Sequence, residues 1–485
     1  VPDFDLLVVG GGPGGYVAAI RAAQRGLRVG LVEKERPGGV CLNWGCIPTK
    51  AMLRSAEVLQ TIRDAADFGV HTDGIRVDFA AVCARRDAIV GELTEGVAGL
   101  LKANGVTVIE GHARLTGPTT VEVFEVGGSP VFPGGPRYAA DAAADSARTI
   151  NATDVLIATG SVPARLPAPG ADLPGVITSD GAFGLTEIPD RLVVIGGSAV
   201  GVEWAALFAT FGSEVTVVER QDRLVPAEDA EIGIALGRSF GKRGITVLTG
   251  STVTAVTQAG ERLRVSVDGP KGRDLDADVV LVGVGRHPNT GQLGLDAAGI
   301  ETDARGFIRV DDRLRTNVEH VWAIGDVTGK ALLAHVASHQ GLTAADVIAG
   351  HDAHIDYTVI PAATFTHPEI AGVGLTEDAA RAAGHDVITA KFPFAALGRA
   401  KTVGDTEGFA KIVAGARHKE VLGVHIIGPS ASDLIAEGAL AISLEATLDE
   451  LTETIHAHPT LGEIGMEAAL AGLGLPVHIA PTRKR

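Results

Sequence analysis

The sequence predicts an α/β protein with two Rossmann-like dinucleotide-binding domains and a C-terminal α+β region. Three observations predict it: a strand–glycine–helix–strand pattern that occurs twice, a cysteine pair after its first copy, and a histidine–carboxylate motif near the C-terminus. At 485 residues the chain exceeds one ordinary domain, so roughly two to four units are expected. An apolar fraction of 46%, with 63 glycines and 23 prolines spread along the chain, describes a compact protein with ample core and many tight turns.

The first copy of the pattern is Leu6-Leu-Val-Val-Gly-Gly-Gly-Pro-Gly-Gly15, running on to Val29-Gly-Leu-Val-Glu33. The second is Leu192-Val-Val-Ile-Gly-Gly-Ser-Ala-Val-Gly201, running on to Val215-Thr-Val-Val-Glu219. Gly10 matches Gly196, Gly15 matches Gly201, Gly26 matches Gly212 and Glu33 matches Glu219, all at one offset. Each copy reads as a buried strand, a glycine turn, a helix and a second strand ending in a carboxylate. That is the arrangement dinucleotides need. The first glycine permits the turn, the second (Gly12) lets the backbone approach a pyrophosphate, and the third lets helix and strand pack closely. The carboxylate accepts hydrogen bonds from a ribose diol. Ser198 replaces the middle glycine of the second copy and crowds the pyrophosphate slightly. Two copies imply two dinucleotides, a flavin that stays bound and a nicotinamide that exchanges. Glu219 favours NAD, because a carboxylate there pairs with a 2′-hydroxyl and repels a 2′-phosphate; Arg220 and Arg223 lie nearby and read as solvated charges.

The stretch Leu192 to Gly212 has the length of a membrane span, but Glu203 and its glycines fit the nucleotide-binding reading better. The net charge is −17, with no basic block before Arg483-Lys484-Arg485. Nucleic acid is therefore not expected, since phosphate binding needs a clustered basic footprint. An acidic surface also disfavours anionic membranes and favours a basic docking partner. The first residues enter an apolar strand with no leader pattern, and three cysteines are too few for a disulfide-stapled secreted chain. A reducing, cytoplasmic setting is expected.

After the first glycine unit comes Gly38-Gly-Val-Cys41-Leu-Asn-Trp-Gly-Cys46-Ile-Pro-Thr-Lys50, then a helical stretch from Ala51 to about Ala66. Two cysteines five apart at the start of a helix can close a small disulfide ring. A helix N-terminus favours the thiolate, the species that attacks a disulfide, and Lys50 adds positive charge. Other readings are a zinc site, two reduced core cysteines and a structural disulfide. Zinc wants four ligands, and no second pair with metal spacing is present. Core burial does not explain the flanking glycines and proline, and a structural bridge does not suit the compartment. No metal is expected, and Cys83 reads as core.

The string GGVCLNWGCIPTK after GGGPGG resembles the class I pyridine-nucleotide disulfide oxidoreductases, the dihydrolipoamide dehydrogenases in particular, and the resemblance covers essentially the whole chain. It implies FAD and NAD as cofactors. It implies that Cys41 exchanges with the substrate disulfide, that Cys46 lies against the flavin, and that Lys50 contacts the flavin and pairs with Glu203. Gly111-His-Ala113 resembles a backbone contact to the FAD adenine, and Ala158-Thr159-Gly160 the turn returning the chain to the FAD domain. Gly285, in Val284-Gly-Arg-His-Pro-Asn289, resembles the segment closing the NAD domain. Asp326, in Ala323-Ile-Gly-Asp326, resembles the ligand of the ribitol hydroxyls, with Leu333-Ala334-His335 following near the ring. The expected divisions are 1–150 for FAD, 151–283 for NAD (with a strand near 153–160 returning to the FAD domain), 284–352 for a central domain completing the FAD site, and 353–485 for a dimer-interface domain.

Near the C-terminus stands His456-Ala-His458-Pro-Thr-Leu-Gly-Glu463, then a helical stretch from Ile464 to Gly472. Pro459 fits a first helical position, which puts His458 at the helix entrance and Glu463 in its first turns. A carboxylate in reach of an imidazole fixes its tautomer and raises its basicity. Read alone, His-Pro before a helix is also a plain cap, and His456 competes as the relevant ring. The segment resembles the family's His-Pro-Thr-Leu-Ser-Glu signature, with Gly462 in place of serine. The resemblance implies that His458 is the acid/base, that Glu463 is its partner, and that this pair serves the other subunit of a homodimer. Thr366-His-Pro-Glu369 and Ala371-Gly-Val-Gly-Leu375 resemble the interface domain.

The implied activity is oxidation of dihydrolipoamide on a lipoyl-carrying protein, whether of a 2-oxo acid dehydrogenase complex, the glycine cleavage system or a lipoate-binding protein. The rivals are an NAD(P)H-dependent reductase of glutathione, mercuric ion or another disulfide, and a non-catalytic flavoprotein scaffold. Glu219 and the lack of C-terminal cysteines weigh against the first, and the cysteine and His–Glu pairs against the second. The Gly-, Pro- and Ala-rich stretch 127–147 reads as an exposed loop.

Overall fold

A computed structural model describes residues 1–126, 130–132, 134–137 and 147–480. Most of the expected loop at 127–147 and the basic triplet at 483–485 lie outside the described residues. The chain forms two compact units, one of Val1–Arg165, Ile177–Glu187 and Val284–Asp356, the other of Leu166–Val176, Ile188–Gly283 and the chain from Tyr357 onward.

In the first unit, the apolar runs Phe4–Val9 and Val29–Glu33 pair in parallel, with Leu6 opposite Val29. Thr107–Glu110 extends the sheet on one side; Arg148–Ile157 and then Val321–Ala323 extend it on the other, all in parallel. The antiparallel strands His112–Leu115 and Thr120–Phe124 continue from Arg148–Ile157. The glycine turn after Phe4–Val9 leads into the helix Pro13–Gln24, which buries Gly14, Gly15, Ala18, Ala19 and Ala22. Small residues there allow a close crossing by the helix Ala334–Ile348: a Cβ on Gly341 would lie 2.5 Å from the Gly14 carbonyl oxygen.

The second unit repeats the plan in its first half. Arg191–Ile195 and Glu214–Val218 pair in parallel with Leu192 opposite Val215, the same register as Leu6 opposite Val29. Thr246–Leu248 and Val279–Val282 flank them, again in parallel. The helix Ala199–Phe211 buries Val202, Trp204, Leu207 and Phe208 against this sheet, which accounts for its apolar character. No helix among the described residues is long and apolar enough to cross a membrane. A three-stranded antiparallel sheet, Thr252–Ala259, Arg262–Asp268 and Asp274–Ala277, is an addition not anticipated from the sequence. The C-terminal half is an antiparallel five-stranded sheet of Ala362–Thr364, Glu369–Gly374, Val421–Gly428, Phe409–Gly415 and Val387–Pro393. Packed on it are the helices Ala431–Ser443 and Glu463–Gly472, around a core that includes Phe392, Ile426, Ile464 and Ala468. The α/β class with a C-terminal α+β portion is what the sequence predicts.

Three local expectations need correction. The helix after the cysteines runs Cys46–Arg63, starting five residues before Ala51. The last helix begins at Glu463, so Pro459 is not its first residue. Cys83, on the helix Phe79–Ala103, is half-buried rather than core.

Candidate active site

In both glycine turns the backbone explains the residue types. Gly10 and Gly196 have φ of 104° and 108°, which favours glycine. A Cβ on Gly15 would lie 1.8 Å from the Gly10 oxygen, and one on Gly201 would lie 1.9 Å from the Gly196 oxygen. Gly12 and Ser198 occupy the same position ahead of their helices in extended backbone open to any residue, so Ser198 is accommodated without strain. No side chain caps either helix, which leaves the first-turn N–H groups available to an anion. The two strand-end carboxylates are held alike. Glu33 accepts from Gly11 N (2.6 Å) and Glu35 N (2.8 Å), and Glu219 accepts from Gly197 N (2.6 Å) and Gln221 N (2.6 Å). Burial pushes the Glu33 carboxyl up, against those two amide bonds.

The rest of the first turn is built by residues distant in sequence. A Cβ on Gly10 would lie 2.4 Å from the Ala158 oxygen and 3.1 Å from Thr159 N. Gly160 has φ of 70°, and its oxygen accepts from Asn289 N at 3.0 Å. Gly111 donates to the Glu33 oxygen at 3.0 Å, and Ala113 is buried two residues on. The Gly285 oxygen accepts from Ala164 N at 2.9 Å. Asp326 accepts from Ser161 Oγ at 2.5 Å, and Arg286 Nε donates to the same Oγ at 2.6 Å while standing 3.9 Å from the Asp326 carboxylate. Burial raises the Asp326 carboxyl, with Ser161 and Arg286 opposing. Ala334 opens the helix Ala334–Ile348, whose buried Gln340 accepts from Gly325 N at 2.5 Å. Ser161, Gln340 and Tyr16 escaped the sequence reading, since none belongs to a local pattern.

Cys41 lies inside the short helix Gly39–Trp44 and Cys46 at the first position of the next, both half-buried. The Cys41 thiol is pushed up, not down. Its hydrogen bond to Cys46 is the largest cause, with burial and the charge on Cys46 adding to it and Lys50 opposing. The Tyr16 phenol is also pushed up, by burial and then by Cys41.

In the second unit, Glu203 is buried and accepts from Phe365 N at 2.9 Å. His458 Nδ1 is 2.8 Å from Glu463 Oε1, and Glu463 Oε2 accepts from Thr460 N at 2.8 Å. Burial alone would raise the Glu463 carboxyl, but the Thr460 amide and His458 hold it below the usual range. The His458 side chain is 77% exposed. A competing ring is accounted for: His456 bridges Thr454 O (2.9 Å) and Glu437 Oε1 (2.7 Å) and so braces the segment. Gly462 has ordinary helical backbone, and a Cβ there would meet Thr460 Oγ1 at an ordinary contact distance of 3.6 Å, so nothing in the fold requires glycine there.

Two buried polar atoms have no partner among the described residues of the first unit, Thr159 Oγ1 and Trp44 Nε1. The unpaired Thr159 hydroxyl, on a residue next to the uncapped Gly10 turn, fits a polar, anionic ligand such as a dinucleotide.

A duplicated dinucleotide fold with an adjacent thiol pair defines a redox enzyme that passes electrons between a nucleotide cofactor and sulfur. Residues 4–341 match the pyridine nucleotide-disulphide oxidoreductase family, and 360–469 its dimerisation domain. The chain belongs to this family, whose cofactors are FAD and NAD. It is 42% identical to the dihydrolipoyl dehydrogenase of Chlamydia muridarum, covering 99% of both chains. It is 43% identical to that of Geobacillus stearothermophilus, covering 98% of both. Among solved structures, LpdA from Mycobacterium tuberculosis superposes with a TM-score of 0.85 at 29% identity, over 96% of this chain and 98% of that one. The HOCl-induced flavoprotein disulfide reductase RclA from Escherichia coli gives 0.84 at 26%, over 96% and 99%.

The two turns are separable by mutation. Gly201→Ala forces the Gly196 carbonyl to move; if the first turn holds FAD and the second NAD, as the sequence leads one to expect, this variant should keep its yellow flavin and bind NADH about tenfold more weakly or worse. Gly15→Ala should lose the flavin itself. Absorbance of the purified variants and NADH titration check both.

Proposed function

We propose that the protein oxidises dihydrolipoamide, carried on a lipoyl protein of a 2-oxo acid dehydrogenase complex, the glycine cleavage system or a lipoate-binding protein, and passes the electrons to NAD. The observation that carries this is the Cys41–Cys46 pair on the first dinucleotide unit, in a chain whose full-length relatives bear the name dihydrolipoyl dehydrogenase.

FAD is held by the turn Gly10–Gly12–Gly15, by Glu33, Lys50, Gly111, Ala113, Thr159 and Gly160, and by Asp326 and Ala334. NAD is held by Gly196, Gly201, Glu203 and Glu219. Bound FAD supplies the two-electron relay between the thiols and NAD. With Nδ1 donating to Glu463, His458 presents a bare Nε2, which takes the proton from the substrate dithiol. In the oxidised enzyme, with Cys41 and Cys46 joined as a disulfide, the resulting thiolate attacks Cys41 Sγ, the Cys41–Cys46 bond breaks, and Cys46 leaves as the thiolate. The second substrate thiol then displaces Cys41, its proton passing to the departing Cys41 thiolate, and closes the product disulfide.

His458 serves the thiols of a second copy of the chain. Its exposure supports this, as do Leu440, Leu444 and Ile455, which are 60%, 71% and 96% exposed in the portion that matches the dimerisation domain.

The test is anaerobic mixing of the yellow protein with dihydrolipoamide and NAD. A long-wavelength thiolate–flavin band followed by NADH, with no comparable rate with NADP, is expected. Flavin reduced by NADH but unresponsive to dihydrolipoamide would move the substrate to another disulfide. His458→Gln should cut turnover by about 10²- to 10⁴-fold while NADH still reduces the flavin.

A further inference from the structure

The carboxylate of the first glycine turn is braced by a segment far away in sequence. Glu33 accepts from Glu35 N at 2.8 Å, so the backbone just past the strand aims it. The three side chains that follow Glu33 all reach one part of the Gly- and Pro-rich stretch, residues 134–137. Lys34 Nζ donates to Arg137 O at 2.9 Å, and Arg36 Nη2 donates to Gly134 O at 3.2 Å. Between them Glu35 takes hold of Arg137 twice. One of its oxygens accepts from Arg137 N at 2.7 Å and the other from Arg137 Nη1 at 3.1 Å. The Glu35 side chain is 8% exposed and that of Arg137 is 36% exposed.

The segment is itself a compact turn. Val131 N donates to Pro136 O at 2.9 Å and Gly135 N to Phe132 O at 2.8 Å, and Gly135 and Pro136 are buried. Phe132 packs on Gly184, where a Cβ would lie 2.6 Å from the Phe132 Cβ. The second carboxylate has the same pair of amide bonds but no such brace. The residues at the matching offset, Arg220, Gln221 and Asp222, are exposed. Among the described residues none of their side chains bonds to a distant segment; Asp222 meets only its neighbour Arg223.

We propose that Glu35 and Arg137 are positioning residues for the dinucleotide of the first turn: the segment they fasten keeps Glu33 aimed and slows the escape of FAD. This rests on the reading that the first glycine turn holds FAD. The links run in one line. Arg137 fixes the Glu35 carboxylate, Glu35 N fixes the Glu33 carboxylate, and Glu33 also accepts from Gly11 N in the turn. Each link is a hydrogen bond with a charged member, the stronger kind. Loosening the strand end to free a ribose breaks these bonds at Glu33 and breaks no such brace at Glu219. That difference is a physical reason for one dinucleotide to stay bound while the other exchanges.

The experiment is dilution of the yellow holoenzyme, with released FAD followed by its fluorescence. Loss of one partly exposed, charge-assisted hydrogen bond corresponds to about a tenfold change. Arg137→Ala should therefore release FAD about tenfold faster than wild type, and Glu35→Ala, which loses both bonds to Arg137, at least as fast. The double variant should match Glu35→Ala alone, because the two side chains form one link. Glu35→Gln keeps an acceptor for Arg137 N and should fall between Glu35→Ala and wild type. NADH affinity, measured by titration, should be unchanged in every variant. A wild-type release rate in Arg137→Ala, or a double variant faster than Glu35→Ala, overturns the proposal. So does NADH binding that weakens in step with flavin release, which would mark a general loosening of the fold. A wild-type protein that holds no FAD overturns instead the assignment of the first turn on which the proposal rests.

Discussion

Cys46→Ser is expected to lower dihydrolipoamide:NAD turnover by at least about 10³-fold, into assay background, because a serine oxygen can neither leave as a thiolate nor re-form the disulfide. The protein should stay folded and yellow, since serine is close to cysteine in size and Cys46 is only half-buried. NADH should still reduce the flavin, because the second glycine turn is untouched. Cys41→Ser separates the two roles. With Cys46 on the flavin side, as the family resemblance implies, Cys41→Ser should lose turnover equally yet retain a long-wavelength thiolate–flavin band from Cys46. That band should be absent from Cys46→Ser. If the band follows Cys41 instead, the assigned order of the two thiols is reversed. If either variant turns over normally, the protein does not work through this pair.

How much of this was legible from sequence depends on how local each constraint is. The glycine turns are readable because geometry dictates the residue: a positive φ at Gly10 and Gly196, and a carbonyl oxygen where a Cβ would stand at Gly15 and Gly201. The shared register, Leu6 on Val29 and Leu192 on Val215, follows from the same repeat. His458 and Glu463 are five residues apart and find each other locally. Helix starts are less legible. Pro48 suggests a helix beginning after it, yet a proline in the first turn lacks only an N–H that has no helical partner there, so the helix starts at Cys46. Pro459 misleads in the other direction: the Glu463 side chain turns back to Thr460 N, and the helix begins at Glu463 itself. Cys83 follows an apolar pattern, but the face of Phe79–Ala103 that carries it is incompletely covered. Least legible are contacts without local pattern, such as Ser161 with Asp326, 165 residues apart, and Lys411 with Asp229, 182 apart.

That last contact carries the largest expected effect on stability. Lys411 and Asp229 side chains are each 2% exposed, and the lysine also meets Glu377. Removing one partner of a buried ion pair leaves an uncompensated charge, at a cost of about 3–5 kcal/mol. Lys411→Met, similar in length and apolar, should therefore lower the melting temperature of the holoenzyme by about 5–10 °C. The loss should depend on pH in a defined direction. In the wild type Asp229 is held below the usual carboxylate range against the opposing effect of burial, so its contribution is present above the ordinary Asp value and fades as pH falls through the depressed one. Lys411 is held above its ordinary value, so its contribution is present below that value and is lost only as pH rises through the elevated one. The gap between wild type and Lys411→Met should thus be widest from about pH 5 to about pH 10 and narrow toward about pH 4, where an unpaired Asp229 takes up a proton. The double variant Lys411→Met/Asp229→Asn should recover part of the loss at neutral pH, because the stranded anion is gone, though the Asp229 cap on Glu231 N is weakened. Melting curves at three pH values check both points. Equal losses at acid and neutral pH would show that Lys411 contributes packing and not charge.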